Sequence, residues 1–290
     1  MLGARIDRYT LEEVLSVGAH TAVYLARGDD GETVVVRMLH PNLEHDALAR
    51  AAVLREAWMG SQLFHPARVR TMTAGHYDRG VLYLVQEYVP GVPLDVLLLR
   101  DGPLPLDTAI RALCTVLDVM MSCHTRGFAH GQVTASKIIV EPTGGVRVLD
   151  CGGGQTTAPM VLEARVARDL FSCGLLLATL LSGEPQSSVP DDTWLRNLVA
   201  NVSRDGAESL AAVRLAEYFE RTLLARPSVL LDADQACAHL ESIVELRMLE
   251  GAFFREEWPT PTEVVPTNSG IVLRNDPNWS ELFDDERVAK

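Results

Sequence analysis

His124-Thr125-Arg126-Gly127-Phe128-Ala129-His130-Gly131-Gln132-Val133-Thr134-Ala135-Ser136-Lys137-Ile138-Ile139-Val140, followed a few residues later by Val146-Arg147-Val148-Leu149-Asp150-Cys151-Gly152, is the stretch whose reading decides the fold. Ile138 to Val140 and Val146 to Leu149 are strand-like runs, and Thr143-Gly144-Gly145 between them is a turn, so a small hairpin is expected. Gln132 and Lys137 precede the hairpin and Asp150 follows it. The amide of Gln132 is neutral and has no useful proton affinity.

Upstream of this stretch, residues 1–90 alternate in the manner of strands. Arg8 to Leu11 opens one, Leu15 to Val17 and Ala22 to Ala26 flank a turn, and Gly28-Asp29-Asp30-Gly31 is a hairpin turn leading into Thr33 to Leu39. Residues 45–63 switch to helical spacing, with Leu48, Ala52, Leu54, Met59 and Leu63 on the expected inner side, and His65-Pro66 ends the run. Val81 to Tyr88 is again strand-like. Five strands and one helix are therefore expected before Pro90-Gly91. Beyond it, Leu94 to Leu99, Leu106 to Thr125, Arg165 to Leu181, Thr193 to Asn201, Leu210 to Leu224 and Asp232 to Leu249 read as helices. The pattern breaks after about residue 251 into Pro, Thr, Asn and acidic residues.

The chain has 290 residues, 47% of them hydrophobic and 22% charged, which suffices for one large domain or two lobes with a real core. A net charge of -13 repels phosphate backbones, so no nucleic-acid partner is expected. The five cysteines are scattered without a Cys-x-x-Cys pair and read as reduced residues of a cytoplasmic protein. Met1 to Tyr9 lacks the apolar core of a signal peptide, and the run Leu170 to Leu181 is too short to span a bilayer, so no membrane association is expected.

The opening stretch resembles the catalytic loop and metal-binding turn of the protein kinase superfamily, H-R-D-x-x-x-x-N followed by D-F-G. Cys123-His124-Thr125-Arg126-Gly127-Phe128-Ala129-His130 is similar to the family's approach to that loop. Further partial matches follow the family order across residues 8–245. Gly18 falls at one position of the glycine-rich loop, with Ser16 and Thr21 at two others. Val34-Val35-Val36-Arg37 stands where the family has V-A-I-K, and Glu56 is the helix partner of Arg37. Leu84 to Gly91, with Glu87 and Val89, is similar to the segment whose backbone hydrogen-bonds adenine. Ala158-Pro159-Met160 is similar to the A-P-E end of the activation segment, with Arg226 in the place of the Arg that pairs with its Glu, and Asp169 to the helix carboxylate that braces the loop. The flavour is that of bacterial Ser/Thr kinases.

The resemblance implies an α+β, bilobal fold: a β-rich N-lobe over residues 1–90, a helical C-lobe over 91–250 and a tail over 251–290. It also implies altered chemistry. Gly131 replaces an Arg, Gln132 the catalytic base and Lys137 the metal-binding Asn, so the expectation is a pseudokinase with no catalytic residues, acting as a signalling scaffold. The Lys137 ammonium has the sign of a metal ion and is expected to neutralise Asp150 directly. No cofactor is required. A nucleotide cleft of Gly18, Arg37, Glu56, Glu87, Val89 and Asp150 would take ATP, with or without Mg2+ on Asp150. The rival expectations are a nucleotide sensor without turnover and an enzyme transferring AMP from ATP.

The tail carries four basic and eight acidic residues, punctuated by Trp258, Trp279, Leu282 and Phe283 among other apolar anchors. It is expected either to dock on its own helical lobe or to bind a protein partner. Thr260-Pro261-Thr262-Glu263 reads first as a spacer and second as a phosphoacceptor.

Overall fold

Alternation of buried and exposed side chains turns the first part of the chain into sheet. The computed structural model describes residues 2–77, 80–150, 162–186, 188–202, 210–224 and 232–249. They divide into two compact units: the chain up to Ala57 with Arg70–Tyr88, and Trp58–Val69 with the chain from Val89 onward.

The first unit holds a six-stranded antiparallel sheet of β1 (Arg5–Ile6), β2 (Tyr9–Val17), β3 (Thr21–Gly28), β4 (Thr33–Leu39), β5 (Thr71–Tyr77) and β6 (Val81–Glu87), in the order β1-β2-β3-β4-β6-β5. The two segments expected at residues 8–11 and 15–17 are one strand, β2, whose register against β3 shifts between Leu11 and Glu13 and again between Val14 and Ser16. Such bulges bend a strand without ending it. Strand β5 is absent from the sequence-based expectation. Its residues alternate weakly, and it sits at the edge of the sheet next to β6. Gly75 makes room in it for the Tyr83 side chain: a Cβ there would lie 2.6 Å from the tyrosine oxygen. The Tyr83 hydroxyl is hydrogen-bonded to Asp7.

Helix α1 (Ala47–Gln62) starts where Asp46 accepts from the amides of Leu48 and Ala49, at 2.9 and 2.8 Å. Its expected inner face needs correction. Leu48 and Leu54 are 67% and 48% exposed, while Ala49, Val53, Glu56 and Met59 are buried. The face of α1 that turns inward carries Glu56, whose carboxylate pairs with Arg37 of the sheet. Ile6, Tyr9, Tyr24, Val36, Met38 and Val53 are among the residues of the first core.

The second unit is helical. Its elements are β7 (Val92–Pro93), α2 (Leu94–Asp101), α3 (Leu106–His124), β8 (Ile138–Val140), β9 (Val146–Val148), α4 (Leu162–Ser182), α5 (Asp192–Val202), α6 (Leu210–Phe219) and α7 (Ala233–Leu249). Helix α3 buries residues on most of its circumference, which makes it the central helix of the core. The α5 and α7 starts are fixed by Asp191, which accepts from the Trp194 amide at 2.8 Å, and by Asp232, which accepts from that of Gln235 at 2.8 Å. The helix expected over 210–224 ends at Phe219 and passes into a π-helical turn, Glu220–Leu224. No helix of the described residues is long and apolar enough to cross a membrane.

Candidate functional site

The loop between α3 and β8 is held by one carboxylate. Asp169 of α4, 1% exposed, accepts from the amides of His130 and Gly131 at 2.7 and 2.8 Å, and its Oδ2 is 2.9 Å from His124 Nε2. His130 extends the network. Its Nδ1 accepts from the Gln132 amide at 3.2 Å, which leaves Nε2 to donate to the Leu149 carbonyl at 2.9 Å. A polar core network satisfied at every member fixes one loop conformation. Gly131 sits in it with φ of 82°, a region where an arginine would be strained. The Gln132 side chain is exposed and makes no hydrogen bond among the described residues.

The hairpin then brings Lys137 and Asp150 together. Ile138 pairs with Val148, and the Leu149 amide donates to the Lys137 carbonyl at 2.8 Å, so the residues beyond each strand end lie side by side. Lys137 Nζ forms an ion pair with Asp150 Oδ2. The lysine side chain is 26% exposed and the aspartate only 5%. Asp150 adopts a left-handed backbone with φ of 58°, a conformation Asp tolerates better than most residues. The donor set does not fit a divalent cation of the Mg2+ kind. Such an ion needs several oxygen ligands; here one of the two expected ligand positions is an ammonium without a lone pair, and it occupies the other.

In the first unit, Arg37 of β4 lies opposite Leu84 of β6 in the sheet, and its Nη1 reaches Glu56 Oε1 and Oε2 at 2.8 and 2.9 Å. Both side chains are nearly buried, at 13% and 7% exposure. Gly18 lies in the β2–β3 turn. Its amide donates to the Thr21 carbonyl at 2.9 Å, and its carbonyl is 2.8 Å from His40 Nε2. The one glycine retained in this turn therefore has its amide committed within the turn. At the end of β6, the Glu87 carboxylate accepts from the Arg70 amide at 2.8 Å and the Glu87 amide donates to the Arg70 carbonyl at 3.0 Å. Val89 is buried, in the second unit.

Of the residues singled out by sequence, the structure brings together Arg37 with Glu56, Lys137 with Asp150, and Gly131 with Asp169. The double role of His130 was missed; the only signal for it was its place ahead of Gly131. Cys151, Gly152, the activation segment with Ala158, Pro159 and Met160, Arg226, and the tail with Trp258, Thr260, Thr262, Trp279, Leu282 and Phe283 lie outside the described residues.

A model of the protein kinase domain matches residues 9–161. The serine/threonine-protein kinase PknB of Mycobacterium tuberculosis is 30% identical over 206 residues, which cover 62% of this chain and 33% of that protein. PknB of Mycobacterium leprae is 27% identical over 205 residues, again 62% of this chain and 33% of the relative. The chain thus spans about a third of the length of the curated relatives it matches. Among solved structures, Rad53 1-466 in complex with AMP-PNP aligns with a TM-score of 0.63 at 22% identity, covering 80% of this chain and 64% of that one. At that identity the likeness is one of fold.

Proposed function

This chain belongs to the protein kinase family, of the bacterial Ser/Thr type, and we propose that within it the chain is a pseudokinase acting as a scaffold or allosteric signalling partner. One observation carries the reading: Lys137 holds Asp150 at the place where the family pattern puts two metal ligands. Phosphoryl transfer depends on metal ions that bridge and neutralise the phosphates and on a base for the incoming hydroxyl. The base position is Gln132, an amide with no useful proton affinity. The Gly18 amide is already bonded within its own turn, which removes a donor from phosphate binding. The AMP-transfer reading is disfavoured on the same ground, since in-line transfer also relies on the metal. The Arg37–Glu56 pair supports a fixed conformation maintained by packing rather than by phosphorylation.

A second reading, a nucleotide sensor, draws on the same pair. A fixed ammonium supplies positive charge where Mg2+ would, so ATP or ADP would bind without metal and without turnover. In either reading the tail anchors Trp258, Trp279, Leu282 and Phe283 are the proposed contacts for a protein partner.

The test is incubation with ATP labelled on the γ- or the α-phosphate, with Mg2+ or Mn2+ and generic protein substrates. No label is expected on the chain or the substrates, and none with Gln132→Asp alone. Label transfer by the unaltered chain at a rate typical of kinases would overturn the proposal.

A further inference from the structure

Outside the candidate site, three ligand-type side chains converge between α3 and α7. The sulfurs of Cys114 and Cys237 and a carboxylate oxygen of Glu241 all lie within 4.8 Å of one another. Cys237 and Glu241 are four residues apart on α7, one turn on the same face. Cys114 comes from the middle of α3, with its sulfur 4.0 Å from the Cys237 carbonyl. The two helices are pinned elsewhere by a nearly buried ion pair, Arg247 with Asp107 at 2.7 Å. The three ligands are therefore carried by regular elements in fixed register, not by a loop.

We propose that Cys114, Cys237 and Glu241 bind a zinc-type divalent cation, with water in the fourth position. The spacing supports it. Tetrahedral zinc, with sulfur at ~2.3 Å and carboxylate oxygen at ~2.1 Å, sets neighbouring ligands about 3.6 Å apart. Cys237 Sγ and Glu241 Oε1 are already 3.8 Å apart. Two thiolates select zinc over the hard cations Mg2+ and Ca2+. Access supports it too. Cys114 and Cys237 are partly exposed and Glu241 is exposed, whereas Cys123 and Cys173 are fully buried.

Loading would release the two thiol protons to solvent and leave three anionic ligands around one dication.

The experiment uses the full chain, purified in reductant, stripped with chelator and titrated with Zn2+ and separately with Co2+. About one ion should bind per chain, raising Tm by roughly 5 °C at about hundredfold excess over Kd. Cobalt should give sulfur-to-metal charge transfer and the intense visible bands of four-coordination. Alkylation of Cys114 and Cys237 should slow about tenfold on loading, because the metal sequesters the thiolate nucleophile. Cys114→Ser or Cys237→Ser should abolish binding. Glu241→Gln, on the surface and safe for folding, should weaken it. Zinc binding that survives the double cysteine variant would overturn the proposal. So would no binding, or a Cys114–Cys237 disulfide that forms in air while reduced protein ignores zinc.

Discussion

Each unit of the molecule contains a cation paired with a carboxylate, and the two pairs differ in what they leave available. Arg37 and Glu56 are both nearly enclosed, at 13% and 7% exposure, and tie α1 to the sheet. Lys137 and Asp150 are unequal: the lysine is 26% exposed and the aspartate 5%. In the first pair neither ion can return to water, so the bond is part of the fold. In the second, the lysine can hydrate and the aspartate cannot, so the pair chiefly serves to satisfy a buried carboxylate. The same type of bond is architecture in one place and, in the reading proposed above, a substitute for a metal in the other. Counting ion pairs would miss that; exposure of each partner separates them.

The comparison breaks most readily at Glu56. Glu56→Ala removes the carboxylate that faces the nearly buried Arg37, and a loss of about 3 kcal/mol is expected in urea unfolding. A loss within the range of surface substitutions would mean Arg37 finds water easily and the contrast is unfounded. The second pair should respond asymmetrically. Lys137→Ala takes the ammonium away from the buried Asp150 carboxylate and is expected to lower stability by about 2 kcal/mol. Asp150→Asn keeps the left-handed backbone and leaves a lysine that hydrates, so about 1 kcal/mol is expected. Equal losses, measured side by side in the same denaturant, would show that both ions are equally enclosed.

Smaller effects sharpen the picture of the loop that carries Gln132. Gly131→Ala forces a side chain onto φ of 82° and should cost about 1 kcal/mol, read as a fall in Tm. Gln132→Asp alters an exposed side chain and should change stability by less than about 0.5 kcal/mol. It adds a base without a metal site; only Gln132→Asp combined with Lys137→Asn restores both kinds of ligand.

Much of this was legible in the sequence, and what was not has identifiable causes. Strands β3, β4 and β6 announce themselves through Val34-Val35-Val36 and similar runs, and the hairpin of β8 and β9 through its Gly-Gly turn. The Arg37–Glu56 and Lys137–Asp150 contacts were readable because both cations sit at positions with a partner in the family pattern. Strand β5 was not, because Thr71, Gly75 and His76 carry little periodicity and the strand is defined by its partner β6. The buried face of α1 was misread because hydrophobicity alone nominated Leu48 and Leu54, whereas the face turned inward carries the paired Glu56. The Cys114–Cys237–Glu241 cluster joins residues more than a hundred positions apart, a proximity only the packing of α3 on α7 creates.

The central claim is that Lys137 does at Asp150 what a metal ion would do. Its most direct test is the melting temperature with ATP and with ADP, each titrated with Mg2+ from none to saturation. The account predicts that Mg2+ changes nothing: any stabilisation by nucleotide is already complete without it. Stabilisation that appears only with Mg2+ would mean that Asp150 still holds a metal, and would contradict the account.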